Sequence, residues 1–406
     1  MIHFTFEFTV MVVTQHILQQ TKRNKTAVII LVILGIMSLG IGVYFLIIKP
    51  NQQTNAQYNR SHITVKPIDS ITRISIVFAG DIMSHLPQTN SCKIGDDKFD
   101  YSDWFEYISL YLHQADLCIA NLETTLAGKP YSGYPQFSAP DTLAWFIKQA
   151  GFNYLVTANN HSADRSSDGI SRTIEVLDKF KILHTGTYLN DSIRMATTPS
   201  YVTVKGIKIA LMNYTYGTNG IPVRKPVVVS LIDTIQIGLD IAKAKKDGAE
   251  IIIPIFHWGL EYQREANAEQ KAIAKYCLVQ GVSAIIGSHP HVLQPLTWYG
   301  YQPVIYSLGN YVSNQRKRYT DGGGMLKLSF TKVKGKVSIV KPAKFLPTWV
   351  YLQIAPMRKY QIVTAHEFNK LSGNMSKTDK AAYNRFLIDT RSHMHLNDSN
   401  SGIIEW

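Results

Sequence analysis

Cysteine is scarce. Cys92, Cys118 and Cys277 are the only three in 406 residues, too few to staple a disulfide scaffold. Cys118 and Cys277 lie in apolar surroundings and read as core residues. No block of Lys and Arg with interleaved aromatics occurs, which argues against a nucleic-acid surface. Gly322-Gly323-Gly324 is followed by no helix, so it lacks the context of a phosphate-cradling loop and reads as a turn. Ser84 and Ser288 have no base and orienting acid in a triad pattern, which disfavours serine hydrolysis. No internal repeat is visible. Long hydrophobic runs are also absent, with one exception.

The exception is Ala27 to Ile48, which carries no charge and no Asn, Gln or Pro. At roughly 1.5 Å per residue such a helix spans a hydrocarbon core of about 30 Å. Lys22, Arg23 and Lys25 precede it and only Lys49 follows. The positive-inside bias therefore places residues 1–26 in the cytoplasm and the remainder outside the cell membrane. A cleaved signal peptide is the alternative. The run is long for that, starts late, and no clean small-residue cleavage site follows, so residues 27–48 are expected to be an uncleaved anchor. Met11 is an alternative start. Residues 49–72 include Asn51-Gln52-Gln53-Thr54-Asn55 and read as a flexible tether. Beyond position 49 there are 38 basic and 28 acidic residues. A basic exported domain suits an acidic polymer or an anionic surface.

After the tether, short apolar runs alternate with helical spacing. Strands are expected at Ile74–Ala79, Leu117–Ala120, Phe152–Ala158, Ile207–Met212, Glu250–Phe256, Val282–Ile286 and Pro303–Leu308. Helices are expected over Asp103–His113, Thr142–Ala150, the stretch after Asp168-Gly169, Leu231–Lys246 and Asn267–Gln280. Lys205-Gly206 marks a hairpin, and Met325–Phe330 with Lys336–Val340 an antiparallel pair. The polar, Asn/Ser-rich stretch after Leu371 is expected to fray. Strands alternating with helices indicate an α/β sheet covered on both faces.

Five of these strands end in residue types that bind metals. The tips are Asp81, Glu123, Asn160-His161, His257 and His289/His291. Open α/β sheets build their sites at the carboxyl ends of strands. In Gly287-Ser288-His289-Pro290-His291 a turn can aim both imidazoles at one place, and Pro290 keeps the strand from continuing. Two carboxylates, one amide oxygen and several imidazoles form a mixed O/N set. That set suits Mn, Fe or Zn, as one or two ions, rather than Ca or Mg alone. A carboxylate between two ions would bridge them, and His161 would hand a proton to a leaving group. Each tip also has a bland reading: Asp81 as a turn cap, Glu123 as a surface ion pair, Asn160 as a left-handed turn residue, His257 as a packed core residue.

The set Phe78-Ala79-Gly80-Asp81, Ala120-Asn121-Leu122-Glu123, Ala158-Asn159-Asn160-His161, Phe256-His257-Trp258-Gly259, Gly287-Ser288-His289-Pro290-His291 and Tyr306-Ser307-Leu308-Gly309-Asn310 resembles the calcineurin-like metallophosphoesterases. More narrowly it resembles the CapA branch of capsule or poly-γ-glutamate biosynthesis proteins. The likeness runs from about Ile74 to about Val350. It implies a four-layer α/β/β/α metallophosphatase-like sandwich over residues 73–350, preceded by one transmembrane helix and followed by an extension over 351–406. It further implies that Asp81 and His291 bind one ion, that Asn160, His257 and His289 bind a second, that Glu123 bridges them, and that His161 is the catalytic acid. Three positions depart from the wider pattern. Met83 stands where a His is usual, Glu123 where an Asp is usual, and Asn159 where a Gly is usual. His85 is a candidate substitute for the His missing at Met83.

The expected function is a membrane-anchored CapA-like protein in capsule or poly-γ-glutamate biosynthesis, export or anchoring, with a metal-dependent hydrolase-type site. Its partners would be the anionic polymer, the membrane and a membrane synthase complex. The alternatives are an exported metal-dependent phosphoesterase unrelated to capsule, and a non-catalytic scaffold that keeps the fold.

Overall fold

Strict alternation builds the strand Thr72–Ile82. Ile74, Ile76 and Phe78 point to one face and Val77 and Ala79 to the other, and all five are buried. A strand apolar on both faces must lie inside a covered sheet. A computed structural model of the chain describes residues 71–406. The expected cytoplasmic segment, the anchor over 27–48 and most of the tether lie outside the described residues. Among the described residues, no helix is long and apolar enough to cross a membrane.

Two sheets form the centre. The first has nine strands, seven of them in the order Lys359–Val363, Lys336–Gln353, Gly322–Val333, Thr72–Ile82, Leu117–Leu122, Tyr154–Val156, Leu183–Thr185. The last four of these run parallel and the first three join antiparallel. The second sheet has six strands, in the order Leu293–Tyr299, Gln302–Leu308, Ile285–Ser288, Ile251–His257, Ile207–Thr215, Ser200–Val204. Hairpins close both of its edges, the second at Lys205-Gly206 as expected.

The sheets meet through one apolar layer in which Ile74, Ile76 and Phe78 pack with Leu211, Ile253, Ile255, Ile286 and Ile305. On the far side of the first sheet, Val77 and Ala79 pack with Trp104, Leu143, Ile147 and Leu177. On the far side of the second, Met212, Ile252 and Phe256 pack with Ile237, Ile241, Ile273 and Cys277. The layers therefore run helix, sheet, sheet, helix. Helices Thr142–Ala150, Thr234–Lys246 and Ala268–Val279 fall where helical spacing puts them. The single helix expected over Asp103–His113 is two short ones, Ser102–Phe105 and Ser109–His113.

Two expectations are corrected. Gly322-Gly323-Gly324 is not a turn; it opens the strand Gly322–Val333. A Cβ on Gly323 would lie 2.4 Å from the Leu308 carbonyl oxygen, so the backbone of 308–310 passes too close for a side chain. The chain after Leu371 does not fray. Ser376 and Asp379 form a capping box that starts the helix Lys377–His393. Tyr383 and Phe386 of that helix pack on Trp349 and Tyr351. Ile403–Glu405 then adds to the first sheet beside Ala343–Phe345, and a fork of two bonds, 2.7 and 2.8 Å, ties Arg391 to Glu405.

Candidate metal centre

The strands of both sheets end at a common place, and local register sets the side chains there. Asp81 pairs with Asn121 on one side and Asn310 on the other. The strand jumps register at Gly80, where an added Cβ would sit 2.0 Å from the Gly309 carbonyl oxygen. Glycine is thus required for the Asn310 segment to press against Asp81. Glu123 follows the Leu117–Leu122 strand directly, and His257 ends the Ile251–His257 strand. After the Ile285–Ser288 strand the chain turns sharply. His289 has φ 102° and His291 φ 57°, both in the region that side chains seldom adopt. Such backbone costs roughly 1–3 kcal/mol per residue and persists only where its surroundings hold it. The turn brings both imidazoles to the site, with ring centroids 6.0 Å apart.

Asp81, Glu123, Asn160, His161, His257, His289 and His291 are all buried. The Glu123, His257 and His289 ligand atoms lie within 4.8 Å of one another, and so do those of Asp81, Glu123 and His291. Glu123 is common to both groups. Its Oε1 lies 3.6 Å from His257 Nε2 and 3.9 Å from His291 Nε2. Asn160 joins the first group, with its Oδ1 2.8 Å from His257 Nε2. Met83, buried against the sheet, offers only a thioether. His85 belongs to neither group; its Nδ1 faces Gln88 Oε1 at 3.1 Å and the Asn314 N–H at 3.3 Å.

The polar atoms at the centre are poorly satisfied by the protein alone. Neither Glu123 oxygen has a hydrogen-bond partner among the described residues, nor does His289 Nδ1. Burial first, and Asp81 beside it second, push the Glu123 carboxyl well above its ordinary range. Burial, then the neighbouring imidazoles, hold His257 well below its ordinary range. His289 is pulled down to about 3, again chiefly by burial and then by His291. Unpartnered buried acceptors beside neutral imidazoles are what a divalent cation would satisfy, and the donors match a borderline ion.

Outer partners orient these groups. Asn310 donates from Nδ2 to Gln315 Oε1 at 3.1 Å and to the Thr320 carbonyl at 2.8 Å. That leaves its Oδ1 to accept from His291 Nδ1 at 3.1 Å, so His291 Nε2 keeps a lone pair toward Glu123. Asn121 Nδ2 donates to Asp81 Oδ1 at 2.8 Å and also faces His257 Nδ1 at 3.2 Å. His161 Nδ1 lies 2.8 Å from Asp164 Oδ2, and that oxygen also accepts from the Phe137 N–H at 2.6 Å. This leaves His161 Nε2 for a substrate. Tyr216 covers the site, its ring 4.6 Å from that of His289. Trp258 is buried, and its Nε1 donates to the Tyr306 carbonyl at 2.9 Å. Tyr262 is exposed, its ring 6.1 Å from that of His291.

Asn121, Asn310 and Tyr216 were not singled out from sequence. Asn121 and Asn310 sit inside the strand-end motifs, where a second buried amide beside each ligand was a usable signal. Tyr216 follows a strand with nothing local to mark it.

A family model described as "Bacterial capsule synthesis protein PGA_cap" matches residues 75–315. The "Capsule biosynthesis protein CapA" of Bacillus anthracis is 28% identical over 257 residues, covering 60% of this chain and 60% of that protein. The "PGA biosynthesis protein CapA" of Bacillus subtilis (strain 168) is 28% identical over 253 residues, covering 60% of this chain and 64% of that protein. The match thus spans less than two thirds of either relative. Among solved structures, the Haemophilus influenzae NAD nucleotidase NadN is similar at 13% identity and TM-score 0.45, covering 83% of this chain and 64% of that one. The calcineurin-like phosphoesterase YfkN from Bacillus subtilis is similar at 15% identity and TM-score 0.39, covering 80% of this chain and 99% of that one.

Proposed function

The chain belongs to the bacterial capsule synthesis protein family, and on that premise we propose that it is a membrane-anchored, metal-dependent protein serving an anionic surface polymer such as poly-γ-glutamate. The observation that carries the metal part is Glu123, a fully buried carboxylate without a hydrogen-bond partner among the described residues, which belongs to both ligand clusters. Asp81 and His291 would hold one ion, Asn160, His257 and His289 a second, and Glu123 both. Manganese, iron or zinc fits the donors. When bound, such ions supply Lewis acidity and a water that ionises near neutral pH.

The protein's own groups do the rest. The backbone turn at His289 and His291 holds both imidazoles in place before any ligand arrives. His161, fixed through Nδ1 by Asp164, holds a proton at Nε2 for a leaving-group oxygen or nitrogen. Asp164 is kept above its ordinary range by burial, and its hydrogen bond to His161 favours the ionised form. Tyr216 shields His289 and narrows access for water.

The membrane part rests on sequence. The uncharged run over 27–48 with Lys22, Arg23 and Lys25 before it supports a single-pass anchor with a cytoplasmic amino end and an external catalytic domain. The B. subtilis relative, named for PGA biosynthesis, and the net basic charge support the choice of polymer. A membrane synthase complex is the natural partner for an anchored protein of this kind.

The test is polymer output in cells that depend on this gene. Cells carrying Glu123→Ala or His161→Ala should lose the polymer while the protein still reaches the membrane. Normal polymer from both variants would contradict a chemical role for the site and favour a scaffold.

A further inference from the structure

Four arginines, Arg264, Arg316, Arg318 and Arg385, line one partly open cleft of about 110 Å³, between the loop 313–321 and the helix Lys377–His393. Among the described residues two carboxylates line the cleft with them. Asp389 is already held in a fork by Arg318, at 2.9 and 2.8 Å. Asp321 accepts from Trp349 Nε1 at 2.9 Å and is raised above its ordinary range by burial. Arg264, Arg316 and Arg385 make no ion pair among the described residues. Arg264 lies over the Tyr319 ring at 4.0 Å and Arg318 over the same ring at 4.8 Å. Arg316 donates to the Val350 carbonyl at 2.6 Å, and burial pulls its guanidinium down.

The cleft therefore holds an excess of guanidinium groups with forks still free, set at an open surface. The Arg318–Asp389 fork shows that this wall accepts a carboxylate in the two-bond geometry that arginine favours. Several forks drawn from two loops and a helix suit a chain that carries a carboxylate on each repeat better than one small anion.

The cleft is also joined to the metal centre. Leu293, on its wall, lies two residues past His291. Arg264 lies two residues past Tyr262, whose N–H donates to the Pro290 carbonyl at 2.8 Å. The loop that carries Arg316, Arg318 and Tyr319 receives the Asn310 amide, which also touches His291. The cleft wall and the His289–His291 turn are thus carried by adjoining segments, while none of the metal ligands lines the cleft itself.

We propose that this cleft binds the side-chain carboxylates of an acidic polymer segment, at a site separate from the metal ligands; the choice of polymer rests on the function proposed above. The experiment measures binding of a fluorescent γ-linked glutamate decamer to the full chain in detergent, with inorganic phosphate as competitor. The variants are Arg385→Gln and the double change Arg264→Gln with Arg385→Gln. Arg385 is exposed and Arg264 half-buried, and neither side chain donates a hydrogen bond among the described residues. The double variant should bind about tenfold more weakly or worse, the single variant less so, and phosphate at equal oxyanion concentration should not displace the decamer. Metal content should match the wild type. Equal affinity in wild type and both variants would overturn the site and leave the polymer reading standing. Displacement by phosphate would overturn the carboxylate assignment. A wild-type chain that binds no decamer would overturn both.

Discussion

Glu123→Gln separates two effects that a buried bridging carboxylate must combine. Without metal, the Glu123 carboxyl is buried, unpartnered and raised well above 4.5, its ordinary value. In the unfolded chain at pH 7 it is ionised. Folding must then either take up a proton or bury the charge, and proton uptake caps the penalty. From pH 4.5 to 7 that cap is about 3 kcal/mol. Gln keeps the shape and removes the charge, but leaves a buried amide short of partners, at about 1–2 kcal/mol. The metal-free variant should therefore be more stable than metal-free wild type at pH 7, by at most about 2 kcal/mol. The sign with pH follows from the raised folded value. The group's stability contribution is full below the unfolded value of 4.5 and is lost as pH rises. The advantage of the variant should shrink toward zero or reverse near pH 4.5. Urea unfolding of chelator-treated wild type and variant at pH 5, 6 and 7 reads the difference, and other titrating groups cancel in it. With metal present the order should invert, because only the wild type gains from binding. A metal-free variant less stable than wild type at pH 7, or a difference constant with pH, would refute the reasoning.

Four further outcomes are expected. His161→Asn should lower turnover of a responsive ester or amide by roughly 10²–10⁴-fold while metal content stays unchanged; loss of metal instead would make His161 a ligand. His257 and His289 are held below their unfolded value of 6.5. Their contribution is therefore present above pH 6.5 and lost below it, so His289→Gln should flatten the acid limb of the metal-free stability curve; an unchanged limb contradicts this. Gly80→Ala places a Cβ 2.0 Å from the Gly309 oxygen and should destabilise by several kcal/mol and disturb the Asn310–His291 contact; a neutral melt would contradict the close approach. Arg391→Ala should lower stability by about 1–2 kcal/mol through the lost fork to Glu405, and an unchanged melt would show that the carboxyl-terminal strand adds nothing.

Much of this arrangement was legible in the residues because strand ends are marked by abrupt changes of polarity. An apolar run followed by Asp81, Glu123, His257 or His289 can be read without knowing how the strands pair. That the sheet is covered on both faces was legible for a similar reason, since Ile74, Ile76 and Phe78 alternate with Val77 and Ala79 and both sets are apolar; the second sheet was expected only from the resemblance of the strand-end motifs. What escaped depends on contacts distant in sequence. Gly323 gives no local hint that residues 308–310 pass against it. The helix Lys377–His393 carries Tyr383 and Phe386 in a polar background, so composition suggested fraying where two aromatics and a capping box were enough. Asn121 and Asn310 look like turn residues until the register places them on either side of Asp81. The arginine cleft was invisible because Arg264, Arg316, Arg318 and Arg385 come from two loops and a helix.

The most direct measurement is anomalous scattering from crystals of the protein grown with manganese. Two peaks are predicted, one among Asp81, Glu123 and His291 and one among Glu123, Asn160, His257 and His289, with the Glu123 carboxylate touching both. Crystals with no peak beside Glu123, in protein whose fold is intact, would contradict the claim.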